Sequence, residues 1–328
     1  MRYRTLGKSG IKVSEIGFGA WTIALDWWGK KVDDDEAIRM LKRAYDLGIN
    51  FYETADLYGK GKSEKLIAQA FKDMRNDVVY STKWGYDMYS AKQVGHSELP
   101  QKHNQEFLQF AISQSLDRLQ TDYIDAYSLH NPKMNAIGND TLFASLDYMV
   151  KKGTIKSHGV ALGPAIGWKD EGLEAIEKRN ITCLQTVYNI LEQDPTRDFM
   201  QAAERRNVGI MVRVPDASGL LTGKVNTDTK FDKNDHRSFR KQEFIIEAMQ
   251  KIENMRPLAS SKGWNITELS IKFILSQKQI SVILPTMISI EEIELFASLS
   301  DGKYLNNAEI ERMEEMYEKN FYVEPVVK

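Results

Sequence analysis

A tyrosine, a lysine and a histidine each stand where a short apolar run ends, and together they could donate a proton to a bound molecule. Tyr58 follows the run that begins at Asn50, while Lys83 and His130 end two later runs. A phenol has a reference pKa of about 10, which is too high for efficient proton transfer near neutrality. A neighbouring ammonium lowers that pKa by favouring the phenolate, so Lys83 is the expected partner of Tyr58.

A carboxylate completes this set of residues. Glu53 lies five residues before Tyr58, and we expect it to keep Lys83 charged and oriented while His130 directs a carbonyl oxygen toward the phenol. Polarising a carbonyl while giving it a proton is half of a reduction by hydride transfer. Each residue alone also fits a structural role: a packing tyrosine, a solvated lysine at a strand end, or a satisfied histidine before a strand-ending Asn131-Pro132.

Composition excludes several other classes of protein. A net charge of −2 over 328 residues gives no general reason to expect nucleic acid or an anionic membrane as a partner. The first residues lack the apolar core of a signal peptide, and no run approaches the roughly 20 apolar residues of a membrane span. The lone Cys183 cannot form an internal disulfide, which favours a reducing cytoplasm.

The sequence does not predict a metal site. Its five histidines show no paired ligand spacing, although His96 and His103 share one predicted loop, and a single cysteine excludes a thiolate cluster. Signatures of a phosphate-binding loop and of a serine nucleophile are also absent. We therefore expect chemistry without a bound metal.

Eight short apolar runs recur along the chain with amphipathic helices between them. They follow a predicted hairpin over residues 2–15 and span residues 16–20, 50–55, 78–83, 124–130, 157–162, 183–189, 209–214 and 281–285. Strands that alternate with helices pair in parallel, and eight such units predict one (β/α)8 TIM barrel domain over residues 1–328. An open doubly wound sheet is the alternative, but the first strand-to-helix turn lacks a Gly-x-Gly-x-x-Gly pattern.

The helices between these runs have recognisable faces and ends. Leu142, Leu146 and Met149 form one apolar stripe at helical spacing. Gly48, Gly153 and Asn207 stand where C-caps belong. In a barrel, Tyr58, Lys83 and His130 would then meet at the carboxyl rim of adjacent strands, where barrel enzymes keep their active sites. Two longer insertions, residues 86–104 and 225–243, follow strands on the same face.

The segment 51–64, Phe-Tyr-Glu-Thr-Ala-Asp-Leu-Tyr-Gly-Lys-Gly-Lys-Ser-Glu, resembles the signature of the aldo-keto reductase superfamily. Further matches occur in family order at residues 81–83, 122–130, 185–189 and 219–224. The resemblance implies a (β/α)8 barrel that reduces aldehydes or ketones with a nicotinamide cofactor. It also implies Tyr58 as the general acid, Lys83 as the partner that lowers its pKa, and His130 as the group that orients the substrate. Glu53 replaces the aspartate of the family pattern.

The resemblance also implies a set of cofactor-binding residues: Trp21, Gln185, Arg213, Pro215, Ser218, Gly219, Leu221, Gly223, Lys224 and Thr286. Two positions around the nicotinamide depart from the family. Ala161 and Leu162 replace the serine and asparagine that hold its carboxamide. Arg213 stands where an aromatic residue often stacks on its ring, and a planar guanidinium can also stack.

The site for an adenosine 2′-phosphate is not recognisable, so NADPH and NADH both remain open. Many family members carry lysine or arginine after the last strand, whereas this chain has Ser289 and Glu292, which predict a capping box. Glutamates in a first helical turn suit the helix dipole but repel phosphate. Either NADH is used, or Arg237 or Arg240 holds the phosphate, or cofactor binding is weak. Phe296 replaces an asparagine that commonly contacts adenine.

Aromatic residues after the first and third strands predict a wall around the substrate. Trp21, Trp27 and Trp84, with His130, are the expected lining residues, and Trp28 and Tyr86 lie nearby. Such walls accept apolar or sugar-like carbonyl compounds. The resulting hypothesis is an NAD(P)H-dependent oxidoreductase. The alternatives are a non-catalytic nucleotide-binding sensor or regulatory subunit on this fold, and a cofactor-free enzyme that uses the Tyr-Lys pair for dehydration or isomerisation.

Overall fold

Strands and helices alternate along the chain, as the sequence pattern predicts. A computed structural model describes residues 1–26, 30–91, 98–163, 168–233 and 235–324. Its strands are β1 Tyr3–Thr5, β2 Lys12–Ser14, β3 Phe18–Gly19, β4 Phe51–Glu53, β5 Val79–Trp84, β6 Ile124–His130, β7 Ile155–Ala161, β8 Cys183–Val187, β9 Gly209–Arg213 and β10 Ile280–Leu284. Its α-helices are α1 Asp34–Asp46, α2 Lys62–Ala70, α3 Gln105–Leu119, α4 Met134–Ile137, α5 Asp140–Lys152, α6 Lys169–Lys178, α7 Thr196–Arg206, α8 Gln242–Ser261, α9 Ile266–Leu275, α10 Ile290–Ser298 and α11 Asn307–Glu318.

Strands β3 to β10 form one parallel sheet in chain order. Ile16 bridges to Ile283 in parallel, and the Ile283 amide donates to the Glu15 carbonyl at 2.9 Å. These contacts bring the first and last strands together and close the sheet. The (β/α)8 barrel is thereby confirmed, and the open doubly wound sheet is excluded.

The predicted N-terminal hairpin is also confirmed. Strands β1 and β2 pair antiparallel, and a short 3-10 turn over Gly7–Ser9 joins them. Leu6 and Val13 pack in one cluster with inward residues of the barrel such as Phe51 and Val79. The hairpin therefore closes the amino-terminal end of the barrel and leaves the carboxyl rim open for a site.

Strand alternation decides which side chains reach the barrel interior. In β9, Ile210 and Val212 belong to the core between sheet and helices, whereas Met211 belongs to the cluster inside the barrel. Because successive side chains point to opposite faces, Arg213 follows Met211 inward. The same alternation sends a layer of polar side chains inward near the carboxyl rim: Glu53, Lys83, His130, Gln185 and Arg213.

The helices begin and end as their sequences predict, with one exception. Gly153 and Asn207 adopt left-handed C-caps, and Gly48 has a φ of +87° directly after the C-cap of α1. At the start of α10, the Glu292 amide donates to Ser289 Oγ at 3.3 Å, as expected. The reciprocal half of the predicted capping box is wrong, because the Glu292 carboxylate accepts from the Ile288 amide and pairs with Lys224 instead.

Candidate active site

A buried ion pair fixes the loop that carries Tyr58. Helix α2 begins after Gly61, whose φ is +85° and where an added Cβ would lie 2.3 Å from Arg118 Cδ. Arg118 Nε donates to Glu64 Oε2 at 2.6 Å, and Thr82 Oγ1 donates to Glu64 Oε1 at 2.7 Å. These contacts tie the start of α2 to α3 and β5. They hold the Tyr58 loop against β5, the strand that carries Lys83.

Glu53 and Lys83 form a buried ion pair at the carboxyl rim. Lys83 Nζ donates to Glu53 Oε1 and to the Thr54 carbonyl, and Gln185 Nε2 donates to the same Glu53 oxygen at 2.8 Å. The side chains of Lys83 and Glu53 are only 2% and 4% exposed. The longer glutamate therefore still reaches the lysine, and Gln185 joins the pair from the other side of the barrel.

Tyr58 lies beside this lysine. Lys83 Nζ is 4.7 Å from the centroid of the Tyr58 ring, and the tyrosine is half-buried. Burial raises the pKa of Tyr58 above its usual value, while the positive charge of Lys83 opposes the rise. The phenol therefore holds its proton at neutral pH, next to a cation that stabilises the phenolate formed when the proton leaves.

His130 lies between two tyrosine rings. Its ring centroid is 5.9 Å from that of Tyr58 and 5.1 Å from that of Tyr86, both with edge-on geometry. Burial and the positive charges of Lys83 and Arg213 hold the pKa of His130 well below its ordinary value. The imidazole is therefore neutral and has one N–H to donate. Its Nδ1 has no hydrogen-bond partner among the described residues.

The predicted aromatic wall needs a correction at Trp84. Since Lys83 points into the barrel, Trp84 points outward, where it is fully buried and packs against Tyr127 and Phe107. It belongs to the core between sheet and helices and does not line the mouth. Trp21 is half-buried after β3 and makes an edge-on contact with His236 at 6.2 Å.

Tyr86 is 3% exposed and contacts His130. Trp27 and Trp28 lie outside the described residues.

The segment after β9 has an unusual backbone. Val214, Ala217, Ser218 and Gly219 have φ values of +56°, +50°, +56° and +90°. Positive φ is rare outside glycine, especially for a β-branched residue, and such strain clusters at functional sites. The turns are bonded within the segment: the Ala217 amide donates to the Val214 carbonyl at 3.1 Å, and the Gly219 amide donates to the Asp216 carbonyl at 3.0 Å.

Helix α9 holds this loop from behind. Ser270 Oγ donates to the Pro215 carbonyl at 3.1 Å, and Thr267 Oγ1 donates to the Leu221 carbonyl at 3.0 Å. The Leu221 side chain is fully buried. The Leu221 amide also donates to the Asp216 carbonyl at 3.1 Å, so both backbone polar groups of Leu221 are engaged within the protein. The exposed Gly223 ends the short 3-10 helix Leu220–Thr222.

A cavity of about 410 Å³ lies between this loop and the start of α10. Gly219, Lys224 and Thr286 line it, as do Asp216 and Glu292. Burial raises the pKa of Asp216 to about 6, and its Oδ1 has no partner among the described residues. Lys224 Nζ and Glu292 Oε1 form an ion pair of 2.6 Å. Several residues that the sequence assigned to the cofactor thus share one cavity, while Gln185 and Arg213 lie in the inward polar layer.

Arg237 and Arg240, the two arginines considered for an adenosine 2′-phosphate, line different cavities. Arg237 lines the larger cavity and donates to both oxygens of Asp235, at 2.9 and 2.6 Å. Arg240 lines a separate cavity of about 60 Å³ together with Glu192 and Phe244. The 225–243 insertion therefore brings only Arg237 of this pair to the larger cavity.

Asp216 also lies in this region, although it is not among the site residues predicted from the sequence. The available signal was a charged residue directly after the strand-ending Val214-Pro215, inside a segment assigned to cofactor binding. Within the described ranges, no cluster of three or more His, Cys, Asp or Glu side chains could hold a metal ion. In those same ranges, no helix has both the length and the apolar character needed to cross a membrane.

Comparison with known proteins identifies the family. The sequence model of the Aldo/keto reductase family matches residues 15–318. An uncharacterized oxidoreductase of Bacillus subtilis (strain 168) is 26% identical over 325 residues, which cover 98% of each chain. A probable voltage-gated potassium channel subunit beta of Arabidopsis thaliana is 28% identical, over 87% of this chain and 86% of that protein.

A solved structure has the same fold. Glycerol dehydrogenase from Gluconobacter oxydans superposes with a TM-score of 0.82 at 23% identity, covering 99% of this chain and 98% of that one. With the family match over most of the chain and an oxidoreductase among the relatives, the protein is a member of the aldo/keto reductase family.

Proposed function

We propose that this protein reduces an aldehyde or ketone, or oxidises the corresponding alcohol, by hydride transfer with NADPH or NADH. The observation that carries the proposal is the arrangement at the carboxyl rim of β4 to β6. A protonated Tyr58, a Lys83 paired with buried Glu53 and a neutral His130 meet there. These groups are suited to bind a carbonyl oxygen and to give it a proton.

The residues present fit a nicotinamide dinucleotide. The buried Oε1 of Gln185 has no partner among the described residues and could accept from a carboxamide N–H. The loop after β9 lines the larger cavity through Gly219, Thr222 and Lys224, and a pyrophosphate could lie along it. When bound, the nicotinamide supplies the hydride that this set of side chains lacks.

The protein's own residues account for the proton. Tyr58 donates its phenolic proton to the developing alkoxide, and the Lys83 ammonium stabilises the phenolate that remains. Glu53 and the Thr54 carbonyl hold that ammonium in place. A neutral His130 donates an N–H to the carbonyl oxygen and so orients it beside the phenol. The partners are thus small carbonyl or alcohol compounds, and we place the activity in the cytoplasm.

Fluorescence and absorbance measurements test this proposal. Tryptophan emission is followed while NADH or NADPH is added, and the nicotinamide absorbance is then followed with a panel of aldehydes and ketones. The proposal expects saturable binding and turnover. An absence of binding would instead favour a cofactor-free proton-transfer enzyme.

A second candidate is a non-catalytic nucleotide-binding subunit. Two observations favour it: Ala161 and Leu162 place buried apolar side chains where the family holds the carboxamide, and one relative is a probable potassium channel subunit beta. Arg213 would also disfavour the positively charged oxidised ring. This candidate predicts tight binding of the dinucleotide with no turnover of any carbonyl compound.

A further inference from the structure

Glu292 presents a fixed carboxylate to the larger cavity. Its Oε1 pairs with Lys224 Nζ at 2.6 Å, and its Oε2 accepts from the Ile288 amide at 2.8 Å. The side chain is 16% exposed, so it is only partly screened by water. Two contacts on different segments hold this negative charge at the junction of α10 and the loop after β9.

The cations around the same cavity are largely committed to carboxylates. Lys224 faces Glu292, and Arg237 makes two hydrogen bonds to Asp235. Lys30 donates to a Glu36 carboxylate oxygen and to the Ile288 carbonyl, both at 2.9 Å. The other lining cation, Lys230, is exposed, so solvent weakens its pull on an anion.

A second carboxylate lies deeper in the cavity. Asp216 is 3% exposed and lines the same space as Glu292. Together the two carboxylates make it unfavourable for a further anion to enter the cavity. A phosphate monoester would bring about two negative charges into a cavity whose acids and bases already balance.

We infer that this cavity takes an adenosine ribose with a free 2′-hydroxyl, so that the protein selects NADH over NADPH, with Glu292 as the residue that sets the choice. The inference rests on the proposed function, since it requires a nicotinamide dinucleotide to bind. A carboxylate accepts a hydrogen bond from a ribose hydroxyl, as acidic residues do in other dinucleotide sites. The same carboxylate repels a 2′-phosphate.

Binding measurements test the inference without turnover. Tryptophan emission or calorimetry gives the Kd of wild-type protein for NADH and NADPH, and of the nicotinamide-free pair ADP and 2′,5′-ADP. We expect the compound without the 2′-phosphate to bind at least about tenfold more tightly in each pair. Glu292→Gln should tighten NADPH by about tenfold, because it removes the repelling charge and frees Lys224.

Glu291→Gln is the matched control. Glu291 lies in the same first turn of α10 but is exposed and does not line the cavity. Its replacement removes the same charge and should leave the NADH to NADPH ratio within about twofold of wild type. Circular dichroism verifies that both variants fold.

Three results would separate the possibilities. If wild-type protein bound NADPH as tightly as NADH, the inference would be overturned while the proposed function stood. Equal shifts in Glu291→Gln and Glu292→Gln would also overturn it, because the effect would then be general charge and not a contact. If neither dinucleotide bound, the proposed function itself would fall, and the inference with it.

Discussion

The two halves of the barrel rim are built differently. At β4 to β6, Glu53, Lys83 and His130 are inward side chains of strands, and the buried pair of Glu53 with Lys83 holds them beside Tyr58 on the loop after β4. At β9 and β10, the lining comes mainly from a loop with positive φ angles, a helix start and the ion pair of Lys224 with Glu292. The first half is therefore held by buried contacts, whereas the ion pair of the second half is partly open to solvent.

This difference is also visible in how each half keeps the family pattern. At β4 to β6, which we call the acid side, the only change noted is Glu53, which still reaches Lys83. On the other side of the rim, from β7 to β10, which we call the cofactor side, four residues depart from the pattern: Ala161, Leu162, Arg213 and Glu292. Substitution of Tyr58 should therefore act on the rate of chemistry, and substitution of Glu292 on dinucleotide binding.

The largest effect is expected from Tyr58→Phe. Removing the only proton donor proposed beside the carbonyl should lower kcat by about 10³-fold and leave dinucleotide affinity near wild type. Tyr52→Phe is the control, because Tyr52 is fully buried and its hydroxyl only donates to backbone carbonyls of Leu41 and Ile49. Steady-state kinetics on both variants measure the effect. If Tyr58→Phe reduced substrates as fast as wild type, Tyr58 would not be the proton donor.

A double variant tests the role of the lysine without leaving a charge unpaired. Lys83→Met with Glu53→Gln removes both charges, and we expect kcat for reduction to fall about 10²-fold. Reduction needs the protonated phenol, so its rate falls as pH rises through the pKa of Tyr58. Lys83 lowers that pKa more than Glu53 raises it, so removing both should move the alkaline decline to higher pH. A pH profile that kept the wild-type decline would contradict this role.

Two substitutions of Glu53 separate the effect of its negative charge from that of its side-chain length. We expect Glu53→Asp to keep reductase activity within about tenfold of wild type, because a carboxylate still faces the buried ammonium. Glu53→Gln should lower the free energy of unfolding by roughly 3–5 kcal/mol, since it leaves Lys83 buried without a counter-ion. Denaturant unfolding and kinetics on the two variants measure these effects. Equal stability of Glu53→Gln and wild type would show that the Glu53–Lys83 pair does not stabilise the folded protein.

The smallest effect is expected on the cofactor side, from Asp216→Asn. Burial raises the pKa of Asp216 from 3.8 to about 6, so the native state binds this proton more tightly than the unfolded chain does. Stability is therefore lost as pH rises from about 4 to about 6, by roughly 3 kcal/mol at most. The variant should melt a few degrees above wild type at pH 7 and equally at pH 4. A pH-independent difference would mean that Asp216 does not titrate in this window.

The positions of the residues on the acid side were easier to predict from the sequence than those on the cofactor side, for a physical reason. Lys83 and His130 lie at the carboxyl ends of strands whose apolar pattern is clear, so their position at the rim follows from the fold. Trp84 was misplaced because one residue along a strand reverses the face.

Loop contacts are harder to predict. The pairing of Lys224 with Glu292 joins residues 68 positions apart, and it alters the expected capping box. Such contacts depend on loop conformation and not on periodicity.

The most direct test of the account is a single turnover with NADH that carries deuterium in the transferable position at C4. Wild-type protein is mixed with this cofactor and a reactive aldehyde, and the product is analysed by mass spectrometry. We predict that deuterium appears on the carbinol carbon with wild type, and that Tyr58→Phe binds the cofactor equally but forms little labelled product. Saturable binding of the cofactor with no labelled alcohol formed from any carbonyl compound tested would contradict the reductase and support a non-catalytic nucleotide-binding protein.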